Sequence, residues 1–74
     1  MDPAIVFGRV LRQLRKEAGL TQEQLGFDAQ VERKYVSLIE LGQNQPTVRV
    51  IFKLAAALDT TPSRMMKLVE DALE

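Results

Sequence analysis

The side chains with chemical reach are gathered in one run, GLTQEQLGFDAQVERKYVSLIELG, at residues 19–42. Arg33, Lys34, Tyr35 and Ser37 put a guanidinium, an ammonium, a phenol and a hydroxyl on one short segment. At the start of a helix, such groups match the major groove of duplex DNA, which admits a helix and presents base edges to a few polar side chains. Arg33 is suited to the O6 and N7 of guanine, and Lys34 to a base or a phosphate. Ser37 bonds a base or turns back on its own helix. The competing reading for Arg33 is an exposed charge beside Glu32. Tyr35 either donates to a phosphate or covers the turn half-buried. Leu38 stands one turn beyond Lys34, at the groove edge or in solvent.

Around that segment lie the groups expected at the DNA backbone. Gln22 falls in the first turn of a second helix, where free N–H groups and the helix dipole favour a phosphate oxygen. Gln43 and Asn44 follow in a polar loop, whose amides and N–H groups suit phosphate. Arg9, Arg12 and Lys16 form a basic stripe on the first helix, read as a solvated face that flanks the DNA at most.

Other chemistries are poorly supplied. The 74 residues include no cysteine and no histidine, which removes disulfides, thiolate metal sites and the usual general base. Ser37, Ser63 and the four threonines have no histidine to activate them. No catalytic residue, metal or cofactor is expected. No apolar run approaches the roughly 20 residues of a membrane span. The first residues, MDPAIVFGRV, lack the basic flank and cleavage site of a signal peptide. A cytoplasmic location away from membranes is the resulting expectation. Net charge is zero, which argues against a non-specific polyanion binder. Residues 1–53 hold eight Lys/Arg against six Asp/Glu, whereas residues 54–74 hold two against four.

The elements that position these groups are helices. Asp2-Pro3 reads as an N-cap with proline at the first helical position. Phe7, Val10, Leu11, Leu14 and Ala18 recur at helical spacing, and Gly19 ends that helix. Thr21 and Gln24 form a capping box for a helix at about 22–29, with Leu25 and Ala29 on one face. A third helix runs over about 32–40, with Val36 and Ile39 inward, and Gly42 stops it. Thr47 caps a fourth, with Val50, Ile51, Leu54 and Leu58 inward. Thr61-Pro62 opens a fifth, at about 62–73. No strand pattern appears. The expected class is all-α, one compact five-helix domain over residues 1–74.

Leu11 through Arg15, Gly19-Leu20-Thr21-Gln22, Leu25, Val36-Ser37, Ile39-Glu40, Gly42, Pro46 and Leu54-Ala55-Ala56-Ala57-Leu58 together carry a family resemblance. With that spacing the chain resembles the phage repressor/Cro-type (XRE-like) helix-turn-helix family over nearly its whole length. Leu25-Gly26-Phe27-Asp28-Ala29 and Glu32 through Ser37 are, more narrowly, similar to controller proteins of restriction-modification systems. The resemblance implies a repressor-like fold with the helix-turn-helix at about 21–40. It also implies a structural ion pair between Arg15 and Glu40, fixing the third helix against the first. Three positions depart from the pattern. Gln30 replaces the turn glycine and must take a left-handed conformation. Gly26 replaces alanine, and Leu41 replaces a polar or basic residue.

The expected function is a sequence-specific transcription regulator on double-stranded DNA, acting as a homodimer on an inverted repeat, with autoregulation implied by the resemblance. RNA polymerase is the further partner. Met65, Met66 and Val69 are the expected dimer contacts, because they supply more apolar surface than a core of this size needs. A protein-interaction module of the same fold, an antitoxin or adaptor, is the alternative.

Overall fold

The computed structural model describes residues 1–74 and contains five helices: α1 Pro3–Glu17, α2 Gln22–Ala29, α3 Arg33–Glu40, α4 Val48–Ala57 and α5 Pro62–Leu73. Four start with the side-chain caps read from the sequence. Asp2 Oδ1 accepts from the Ala4 N–H at 2.7 Å, Thr47 from Val50 at 3.2 Å and Thr61 from Arg64 at 3.2 Å. Thr21 and Gln24 complete a reciprocal box at 3.0 and 2.9 Å. Each cap satisfies an orphan donor and is worth about 1 kcal/mol. α3 alone opens without a side-chain cap, behind Glu32.

The helix ends share one device. After α1, α2, α3 and α4 the chain passes through a left-handed residue: Gly19, Gln30, Gly42 and Asp59. The next N–H in each case reaches back to a carbonyl five residues earlier: Leu20 to Arg15, Val31 to Gly26, Gln43 to Leu38 and Thr60 to Ala55, at 2.8–3.1 Å. Gln30, at φ 58° and ψ 44°, takes the glycine conformation expected of it. The same closure at Asp59 was not read from the sequence, since Asp59 is not a glycine.

α1 packs on α3 and α5, α2 on α3 and α4, and α4 on α5. The core is Val6, Phe7, Leu11, Leu25, Ala29, Val36, Ile39, Leu54, Ala55, Met65 and Val69. Ala18, expected on the apolar stripe of α1, is the exposed C-cap instead. The expected dimer surface needs a larger correction. Met65 is 0% and Val69 6% exposed, and Met66 is partly buried against the core. α5 folds back along α1 and uses these residues to close the interior, so Met65 and Val69 offer nothing to a second chain.

One close approach sets the position of α3. A Cβ at Gly8 would lie 2.3 Å from the Ile39 carbonyl oxygen and 2.8 Å from that of Glu40. The absent side chain lets α1 touch the backbone at the C-terminal end of α3.

Candidate nucleic-acid interface

α3 is amphipathic. Val36 and Ile39 are buried, while Arg33 and Lys34 are exposed. Arg33, Lys34, Ser37 and Leu38 line one open cleft of about 360 Å³. The structure therefore brings the three base-reading candidates together on the outer face, with Leu38 beside them.

Arg33 also belongs to a second concavity, of about 500 Å³, with Arg15, Gly19, Leu20, Thr21, Gln22 and Glu23. The N-terminus of α2 opens into it, so unpaired N–H groups, Gln22 and the guanidiniums of Arg15 and Arg33 outnumber the one carboxylate, that of Glu23, around the basin. That is the composition of an anion site. Arg33 joins the basin to the cleft, a double placement that local spacing did not reveal.

Behind the basin lies an ion pair. Arg15 Nε stands 2.6 Å from Glu40 Oε2 and Nη2 stands 3.0 Å from Oε1. The side chains are 11% and 3% exposed. Arg15 Nη1 also donates to the Leu20 carbonyl at 2.8 Å. The hydrogen bond to Glu40 and its negative charge raise the Arg15 pKa against the opposing effect of burial. The guanidinium thus ties α1 to the end of α3 and to the turn before α2. Gln22 adds a link that the sequence reading lacked: its Nε2 donates to Glu40 Oε1 at 3.0 Å.

The remaining candidates lie apart from the cleft. Tyr35 is half-buried and lines a separate hollow with Gln30, Val31, Glu32, Val50 and Lys53. Its hydroxyl donates to the Gln45 carbonyl at a long 3.4 Å, so it covers the turn and steadies the following loop. Gln43 and Asn44 have exposed side chains. Their backbone N–H groups were expected to meet phosphate, but both point to the Leu38 carbonyl, at 2.9 and 3.3 Å. Closure of α3 at Gly42 uses those donors, leaving only the side-chain amides for a ligand. Arg9, Arg12 and Lys16 are exposed on α1.

A short helix held across another by a tight turn, with its polar face outward, is the arrangement of a helix-turn-helix domain. The family model described as helix-turn-helix matches residues 11–65, and the chain belongs to that family. It is 42% identical to the restriction-modification controller protein C.AhdI from Aeromonas hydrophila. That crystal structure superposes with a TM-score of 0.82, covering 84% of this chain and 94% of the other. An uncharacterized HTH-type transcriptional regulator, y4dJ of Sinorhizobium fredii, is 38% identical over 58 residues, 78% of this chain and 75% of its own length. The control protein C.BamHI of Bacillus amyloliquefaciens is 32% identical over 63 residues, 84% of this chain and 78% of its own.

Proposed function

We propose that the chain is a transcription regulator that binds double-stranded DNA in a sequence-specific manner, as a homodimer on an inverted-repeat operator. The observation that carries this reading is the shared position of Arg33. It stands at the junction of a polar cleft on α3 and an anion basin at the start of α2. Arg33, Lys34 and Ser37 read base edges in the major groove. Gln22 and the N–H groups of α2 take the phosphate beside it, and the side-chain amides of Gln43 and Asn44 meet the flanking backbone.

The two-copy reading follows from length. At 1.5 Å per residue, the eight residues of α3 span about 12 Å and cover only a few base pairs. Two copies on a two-fold axis place their reading helices about 34 Å apart. With Met65 and Val69 in the core, α4 supplies the better contact. Only Arg49 and Lys53 of its ten residues are polar. Val48 and Phe52, one turn apart, are 71% and 60% exposed, and Ala56 continues the stripe, also exposed. A helix apolar nearly all round is built to be covered on more than one side.

The regulator acts in the cytoplasm, by occluding or contacting RNA polymerase at the operator. No helix is long and apolar enough to cross a membrane. The likeness to controller proteins supports a place beside restriction and modification genes, which the flanking genes test. The function is tested by selecting bound sequences from random duplexes. An inverted repeat with half-sites about 10 bp apart is the expected result. Binding without sequence preference rejects the proposal.

A further inference from the structure

The Glu40 carboxylate is fully engaged within the protein, yet one of its partners faces the DNA basin. Oε2 accepts from Arg15 Nε, and Oε1 accepts from both Arg15 Nη2 and Gln22 Nε2. Gln22 is the first residue of α2 and lines the basin with Arg33. A carboxylate oxygen only accepts, so the side of the Gln22 carboxamide facing Glu40 must be its nitrogen. That choice fixes the rest of the group. One N–H is held by Glu40, and the second N–H and Oε1 remain for a ligand. Arg15 neutralises the carboxylate, using three of its five N–H donors on Glu40 and the Leu20 carbonyl, so Glu40 sits behind a phosphate site without presenting a bare negative charge to it.

We propose that the Arg15–Glu40 pair positions Gln22 for DNA. The pair sets the rotamer and amide orientation of Gln22 before the duplex arrives, and Gln22 meets the phosphate oxygen with the donor that Glu40 leaves free. This rests on reading the α2 basin as a phosphate contact and adds to it a defined role for the ion pair as the support of Gln22. A free glutamine side chain has to be ordered on binding, and ordering lowers affinity. A hydrogen bond from a pre-set donor to a charged phosphate is correspondingly stronger.

The test needs a background that removes the anchor and keeps the fold. Arg15→Met with Glu40→Met does so. Replacing a buried ion pair by apolar side chains of similar volume is often neutral for stability, and it leaves net charge unchanged. Affinity for the selected duplex is measured for the unmodified protein, Gln22→Ala, the paired Met variant and the triple variant, all first shown to be folded by melting. In the unmodified protein Gln22→Ala is expected to weaken binding roughly ten- to a hundredfold, the worth of a hydrogen bond to a charged group. In the paired Met background the same change is expected to cost about threefold or less.

Equal losses in the two backgrounds overturn the positioning role while leaving the phosphate contact standing. No loss in either background removes the contact and the positioning role together. Should the paired Met variant fail to fold, nuclear magnetic relaxation of the Gln22 side-chain amide in the unmodified, DNA-free protein decides. An order parameter above about 0.6 is expected, and one below that flexible limit overturns the proposal.

Discussion

Removing either partner of the Arg15–Glu40 pair is expected to cost a large share of the fold's stability. Glu40 accepts three hydrogen bonds, at 2.6, 3.0 and 3.0 Å, and its side chain is 3% exposed. Arg15→Ala takes away two of those bonds and the compensating charge, leaving a carboxylate out of water with one neutral donor. Breaking a buried pair in this way costs about 3–5 kcal/mol. A chain of this size holds roughly 4–11 kcal/mol in total at the usual stability per residue. Arg15→Ala and Glu40→Ala are therefore each expected to bring urea unfolding close to the limit of the folded state at room temperature. The double variant should cost about as much as one single, a coupling of about 3–5 kcal/mol, because it leaves no unpaired charge. Burial shields the pair from ions, so the coupling should persist in about 1 M NaCl, where surface pairs fade. The Arg15 pKa is raised, so its stabilising share is present at every pH below its ordinary value and is lost only in strong alkali. Single-variant losses that add to the double within about 0.5 kcal/mol would refute the reasoning.

Arg33→Ala should lower operator affinity by about 1–3 kcal/mol and relax preference at one guanine per half-site; an unchanged selected sequence would remove Arg33 from the reading set. Phe52→Glu should give a folded monomer by sedimentation, with a melting temperature near that of the unmodified protein and much weaker operator binding. An unaltered dimer would move the interface away from α4. Gly8→Ala should destabilise the domain by about 1–3 kcal/mol, because its Cβ would meet the Ile39 carbonyl oxygen at 2.3 Å; calorimetry showing no loss would mean that α1 and α3 separate at no cost.

The parts of the fold governed by local chemistry were readable. Thr21 with Gln24 and Thr47 declare helix starts through bonds to residues three positions on, and α2 and α5 begin where their caps predict. Destinations were not readable. Met65 and Val69 are apolar whether they meet α1 or a second chain, and only the path of α5 decides between the two. The N–H groups of Gln43 and Asn44 looked free because their acceptor, the Leu38 carbonyl, becomes available only once α3 ends at Gly42. The approach of Gly8 to the far end of α3 has no local signature. At the interface, the residue types of Arg33, Lys34 and Ser37 identified the outer face of α3. The bond between Gln22 and Glu40 joins residues eighteen positions apart, and no periodicity encodes it.

The repeated left-handed closure after α1, α2, α3 and α4 bears on timing. Each closure joins residues five apart, so the direction of the next helix is set before distant parts of the chain meet. Small helical domains dominated by such local contacts fold in microseconds to milliseconds. For the homodimer proposed above, pairing of two copies is instead a second-order event, and at nanomolar concentration with an association rate of about 10⁶ M⁻¹s⁻¹ it takes minutes. The interval between synthesis and occupancy of the operator is then set by how many copies have accumulated, which makes concentration itself the clock of the switch. Stopped-flow refolding slower than subunit association at the same concentration would reverse that order.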